Sequence, residues 1–185
     1  MKVRIAILLA FLTSLAEAAI VTGPERGMLA PRVSAAAGQQ WIPSIASSGT
    51  ETVVAWFDSS PGREGIYVAA ISQDGALIPG SQRWLAHAGA NVAITWTGSR
   101  YLLAWNDSFG VTTAALDREL RVVVQPHVAV PRGTKTSNIR AIRNRAMLVY
   151  AEDGTHYAAL LDADGNAVRL RIIIPSDIVV EPIVA

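Results

Sequence analysis

No cysteine occurs among the 185 residues. That excludes disulfide staples and lipid attachment at a processed cysteine. It does not exclude export, because a large core can hold an exported domain without staples. Histidine is also scarce. His87, His127 and His156 stand far apart, without the close spacing of a metal-binding pair, so no metal is expected. Neither charge is in excess: 16 Lys and Arg face 15 Asp and Glu, a formal net charge of +1. Neutralising phosphates needs a surplus of Lys and Arg, so nucleic acid is not an expected partner. A membrane surface held by charge is not expected either. The one basic group, Arg140, Arg143 and Arg145, reads as a solvated hairpin turn. Phosphate-cradling glycine loops, the dinucleotide fingerprint and the Gly-x-Ser-x-Gly elbow are all missing, and no cofactor is expected. No amphipathic helical pattern follows any strand-like segment, which argues against a parallel sheet wrapped by helices.

What is present begins with an N-terminal leader pattern. Lys2 and Arg4 form a short basic start, residues 5–12 an apolar centre, and Ala16-Glu17-Ala18 a small-residue cleavage pattern. The expectation is a signal peptide over residues 1–18, cleaved after Ala18, with a secreted or periplasmic product. Losing Lys2, Arg4 and Glu17 with it takes the formal charge to zero. The apolar centre is too short to span a membrane, and no later stretch reaches spanning length without charges or turn residues. Residues 19–28 follow as an aperiodic leader marked by Gly23-Pro24. With 51% hydrophobic residues the remainder is expected to fold rather than stay disordered.

The remainder, residues 29–185, repeats. The stretch IASSGTETVVAWFDSSPGREGIYVAAISQDGALIPGSQRWL, from Ile45 to Leu85, has a second version from Ile94 and a third from Ala141. Trp56, Trp105 and Tyr150 correspond, as do Ser72, Asp117 and Asp162. Self-similarity at this period marks units that cannot bury their apolar surface alone. Within the first unit, strands are predicted over 41–47, 51–58, 66–72 and 77–86. The last is interrupted at Pro79-Gly80, and Gln73-Asp74-Gly75 forms a hairpin turn. The segments TVVAWF and YLLAW are apolar at both parities, which predicts sheets covered on both faces.

Four short strands per unit, stacked face to face with the next unit, describe antiparallel four-stranded blades of a β-propeller. The pattern PSIASSGTETVVAWFD…AISQDG, echoed by AWND, resembles a tandem repeat of secreted bacterial β-propeller-like proteins. Its outline is Pro-x-Ile/Val-Ala, a strand ending Trp-x-Asp, and a strand leading to Asp-Gly. The second unit departs with Glu119-Leu120 in place of Asp-Gly, and the third with Tyr150 in place of Trp and Glu152-Asp153 in place of the single acid. The blades are expected near 41–86, 90–131 and 136–175, with partial strands over 29–36 and 181–185. That is an all-β fold with about three full blades and an incomplete ring. Two unmatched half-units favour a piece of a longer propeller with missing C-terminal blades. The alternative is a ring completed by several copies of the chain.

In an up-and-down blade, the turn between the second and third strands shares an end with the link to the next blade. That rim collects Asp58 and Arg63, then Asn106 and Asp107, then Glu152, Asp153 and His156. It is a candidate ligand site, since the resemblance implies ligands at this end. Asp58, Asp107 and Asp153, taken as equivalent, are better explained as turn formers that bond their own backbone. Asp162-Ala163-Asp164-Gly165-Asn166 lacks the glycine and the glutamate of a calcium loop and reads as a hairpin turn. Trp56 and Trp105 are expected in the core, and Trp41, Trp84 and Trp96 nearer the edges.

The expected function is an exported, non-catalytic binding or interaction module for a carbohydrate or a cell-envelope protein. The alternatives are a glycan-acting hydrolase or lyase using rim carboxylates, and a propeller fragment with no independent function.

Overall fold

The computed structural model describes residues 40–87, 89–131 and 135–174. The expected signal peptide, the leader and the partial strands 29–36 and 181–185 lie outside the described residues. The described chain is all-β, with twelve strands in three four-stranded antiparallel sheets. The first sheet is β1 (Gln40–Ser47), β2 (Thr52–Asp58), β3 (Gly65–Ile71) and β4 (Arg83–Ala86). The second is β5 (Ala90–Trp96), β6 (Tyr101–Asp107), β7 (Gly110–Leu116) and β8 (Val122–Pro131). The third is β9 (Lys135–Ile142), β10 (Arg145–Glu152), β11 (Thr155–Leu161) and β12 (Ala167–Ile173). Each sheet is a simple meander, with strands neighbouring in space in the order of the chain. The interruption at Pro79-Gly80 leaves only an Ile71–Leu77 bridge ahead of the short β4.

The sheets stack through two cores. Successive β6 residues point to opposite faces, so one strand feeds both. Tyr101, Leu103 and Trp105 meet Val53, Ala55, Ile66 and Val68 of the first sheet. Leu102 and Ala104 meet Ile139, Ala146, Leu148 and Tyr150 of the third. Each buried Val, Leu or Ile among them stabilises by about 1.5–3 kcal/mol relative to exposure. The both-face apolarity of YLLAW is therefore used in full: Tyr101 to Asn106 are all buried. The expectation fails for TVVAWF, where burial alternates and Trp56 is only half-buried. Its inward residues meet the second sheet. Trp56 lies on the other face and stacks on Tyr67 at 5.7 Å.

The turns repeat as closely as the strands. In each sheet the third turn closes with the same pair of backbone hydrogen bonds. Ser72, Asp117 and Asp162 donate N–H to the carbonyls of Ala76, Arg121 and Asn166 at 2.8, 3.0 and 3.0 Å. Gly75, Leu120 and Gly165 donate back to the carbonyls of Ser72, Asp117 and Asp162. This geometry needs a left-handed residue at its fourth position, and Gly75 and Gly165 supply it with φ of 82° and 87°. Leu120, where the sequence departs from Asp-Gly, adopts φ 60° all the same. It is 3% exposed and belongs to the core between the first two sheets, so burial outweighs backbone strain.

The first strands β1, β5 and β9 lie beside one another on the inner side of the stack. Each is the edge of its own sheet, so part of its backbone lacks a ladder partner there. Hydroxyls from the neighbouring sheet take two of these groups. Ser44 Oγ accepts the Ile94 N–H at 3.1 Å, and Thr95 Oγ1 accepts the Ala141 N–H at 3.0 Å. The edge strand β8 carries Pro126 where its ladder with β7 shifts register between Thr113 and Ala115, a place that tolerates a missing N–H.

Candidate functional site

The meander puts the turns after β2, β6 and β10 at one end of their sheets, where the rim was expected. The first of these turns, residues 59–64, is longer than the other two, residues 108–109 and 153–154. Asp58 ends β2 and is 1% exposed. Its Oδ1 accepts the Ser60 N–H at 2.8 Å, and Arg63 approaches Oδ2 at 3.8 Å. The Ser60 hydroxyl and N–H, assisted by Arg63 and opposed by burial, hold its carboxyl below the usual carboxylate range. Arg63 also lies 5.9 Å from the centre of the Tyr67 ring. Asp107 ends β6, accepts the Phe109 N–H at 2.7 Å, and is bonded by the Thr112 hydroxyl. Asn106 lies within β6 and is buried.

In the third sheet the register gives Glu152, not Asp153, the place of Asp58 and Asp107. Glu152 pairs with Thr155 at the strand end as Asp58 pairs with Gly65 and Asp107 with Gly110. Asp153 is an exposed turn residue with φ 50°, and His156 is exposed on β11 rather than in the turn. The sequence signal was available, since Glu152 stands two residues after Tyr150 as Asp58 does after Trp56. Arg63 and Asp58 form an ion pair within this set, and among the described residues no three Asp, Glu or His side chains gather to hold a metal ion. The Asp162 carboxylate accepts the N–H groups of Asp164 and Asn166, each at 2.9 Å, as a hairpin turn requires.

A different feature lies on the inner side. A cleft of about 500 Å³ runs along the first strands, lined by residues of β1, β5 and β9. Its lining combines apolar Ile45 and Trp96 with polar Ser44, Thr95, Asn138 and Arg140. Ile45, Asn138 and Arg140 are exposed. Trp96 is half-buried, packing on Tyr101 at 4.7 Å, with Arg118 5.1 Å from its ring centre. The sequence reading concentrated on the rim and missed this cleft. Its signal was the recurrence of a polar residue on each first strand: Ser44, Thr95 and Asn138.

Comparison with solved structures settles the architecture. The chain is similar to a subtype N10 neuraminidase-like protein of A/little yellow-shouldered bat/Guatemala/060/2010. That match has a TM-score of 0.52 and 12% identity, covering 72% of this chain and 44% of that one. It is also similar to a neuraminidase-like protein from A/bat/Guatemala/164/2009, with a TM-score of 0.51 and 13% identity, covering 72% of this chain and 41% of that one. The three sheets are blades of an open β-propeller. The chain spans less than half the length of either neighbour. No protein-family model and no curated protein matches the sequence.

Trp105 and Trp84 follow their position in the blade. Trp105 is 1% exposed between the first two sheets, whereas Trp84, on an outermost strand, stands open and meets His87 edge-on at 4.8 Å. Both match the roles expected for them, while Trp56 is less enclosed than expected.

Proposed function

We propose that the chain is an exported, non-catalytic binding module that takes a carbohydrate along the inner cleft of its blades. The observation carrying this reading is the lining of that cleft. Trp96 and Ile45 offer apolar contact, while Asn138 and Arg140 offer exposed donors beside them. Sugars are bound by this combination of stacking surface and directed hydrogen bonds. Export rests on the leader pattern at residues 1–18, and a cell-envelope protein is the other ligand class this surface could serve. The test is a glycan array followed by titration calorimetry on the chain from Ala19. Arg140→Ala and Asn138→Ala are expected to weaken the best ligand about tenfold each, the worth of one or two hydrogen bonds to a charged or polar group. Absence of glycan binding, or affinity indifferent to both substitutions, defeats the reading.

A glycan hydrolase or lyase is the second reading. It draws on the neuraminidase-like names of the structural neighbours, with which only the fold is shared. Such chemistry needs two carboxylates converging on one bond. Asp58 and Asp107 each bond within their own turns, which weighs against it. Turnover of a polysaccharide, abolished by Asp58→Asn or Asp107→Asn with circular dichroism unchanged, would reverse the order of the two readings.

A further inference from the structure

The junctions between sheets obey one rule. The third turn of each later sheet seats on the first turn of the sheet before it. At the first junction, Arg118 donates to the Thr50 hydroxyl at 3.3 Å, and the Tyr101 hydroxyl donates to the Glu51 carbonyl at 3.2 Å. At the second, Asp164 forms an ion pair with Arg100, and Thr113 Oγ1 donates to the Gly165 carbonyl at 3.0 Å. The turn positions are equivalent. Arg100 closes its turn on Thr97, and Arg145 stands at the same place opposite Ile142. Asp164 follows Asp162 by two residues, as Asp74 follows Ser72 in the matching turn of the first sheet.

Among the described residues, two turns are left over by this rule. One is the third turn of the first sheet, which carries Asp74 in the place of Asp164. The other is the first turn of the third sheet, which carries Arg145 in the place of Arg100. Both residues are exposed. Among the described residues, ion pairs join Arg63 to Asp58, Arg100 to Asp164, and Arg121 to Asp117 and Glu119, and none takes Asp74 or Arg145. Exposed Leu77 and Ile78 lie beside the first of these turns, and exposed Ile142 beside the second, so each charge has an apolar neighbour.

We infer that these two turns meet between copies of the chain: Asp74 of one copy pairs with Arg145 of the next, repeating the Arg100–Asp164 junction, and two copies close one ring. A head-to-tail contact of this kind gives a ring where its rotation closes and a filament where it does not. Two copies of the three described blades make six, within the four to eight blades that close a propeller. In a ring of two, the junction occurs twice.

The test is the mass of the full chain in solution, by light scattering after size exclusion over a dilution series. The wild type is expected as a discrete dimer. Asp74→Arg alone sets Arg against Arg at both junctions, and Arg145→Asp alone sets Asp against Asp. Each is expected to weaken the dimer at least about tenfold, since like charges facing across an interface are strongly unfavourable. An equal mixture of the two single variants restores opposite charges at both junctions and is expected to dimerise again. The double variant D74R/R145D, alone, is expected to do the same. Circular dichroism on each single variant checks that both remain folded, and the double variant keeps the test decisive if one does not. A monomeric wild type overturns the inference, as do open-ended polymers, or a dimer indifferent to both single reversals.

Discussion

The hydroxyl of Thr113 donates to the carbonyl of Gly165 at 3.0 Å, joining the second sheet to a turn 52 residues further along the chain. A Cβ at position 165 would fall 2.7 Å from that same hydroxyl and 3.0 Å from Leu102 Cδ1. Glycine is required here twice over, by φ of 87° and by the closeness of the second sheet. Gly165→Ala is expected to lower the unfolding free energy by about 2–4 kcal/mol, from backbone strain and overpacking together. Urea denaturation measures it. A loss no larger than that of Gly75→Ala, where nothing lies within 4 Å of the added carbon, would show that the junction yields freely.

Leu120 gives the opposite expectation for the matching position. Replacing it with glycine relieves an unfavourable φ of 60° and removes a side chain that is 3% exposed. Relief contributes about 1 kcal/mol, and deletion of a buried leucine costs about 2–5 kcal/mol. Leu120→Gly is therefore expected to destabilise the fold, seen as an earlier urea midpoint. A stabilised variant would mean that the core does not hold this turn.

Asp58 predicts a dependence on pH. Its carboxyl is held below the ordinary value of 3.8 by the Ser60 hydroxyl, then by the Ser60 N–H, with burial opposing and Arg63 assisting. A depressed folded-state value contributes stability that is present above the unfolded value and is lost as pH falls through the folded one. Asp58→Asn is expected to cost about 1–2 kcal/mol near neutral pH, the difference between a charge-assisted and a neutral hydrogen bond. The gap between variant and wild type should hold constant to about pH 5 and narrow as the unfolded carboxylate titrates. Stability curves for both proteins across this range decide it. A gap that stays the same in acid would assign the cost to packing rather than charge.

Thr95 tests the hydroxyls that join the inner strands. Its Oγ1 accepts the Ala141 N–H at 3.0 Å, and the residue is 8% exposed. Thr95→Val keeps the shape and leaves that donor without its acceptor, at an expected cost of about 1–3 kcal/mol. Amide hydrogen exchange at Ala141 should speed up in the variant. Unchanged protection there would show that another group takes over the bond.

The rim and the cleft separate what local and distant contacts can reveal. The rim acids sit at strand ends, and their chemistry is legible within a few residues: Asp107 bonds Phe109, and Asp58 bonds Ser60. The reading as turn formers was sound for both. The equivalence with Asp153 was not, because the register of β10 on β11 aligns Glu152 instead. The cleft has no such local signature. It exists because β1, β5 and β9 come together from positions nearly fifty residues apart, and only the stacking of the sheets brings Ser44 to Ile94 and Thr95 to Ala141.

The sequence by itself determined the all-β class, the repeat, the four-strand meander and the turns, because these follow from side-chain alternation and from hydrogen bonds closed within a few residues. Tertiary structure decided which apolar faces are used. TVVAWF and YLLAW read alike, yet only the strand between two sheets is buried on both sides. It also decided that Leu120 could stand where glycine stands in the other two turns, since the neighbouring sheet supplies the burial that offsets the strain. Local chemistry is written in consecutive residues, whereas burial depends on what lies across the interface.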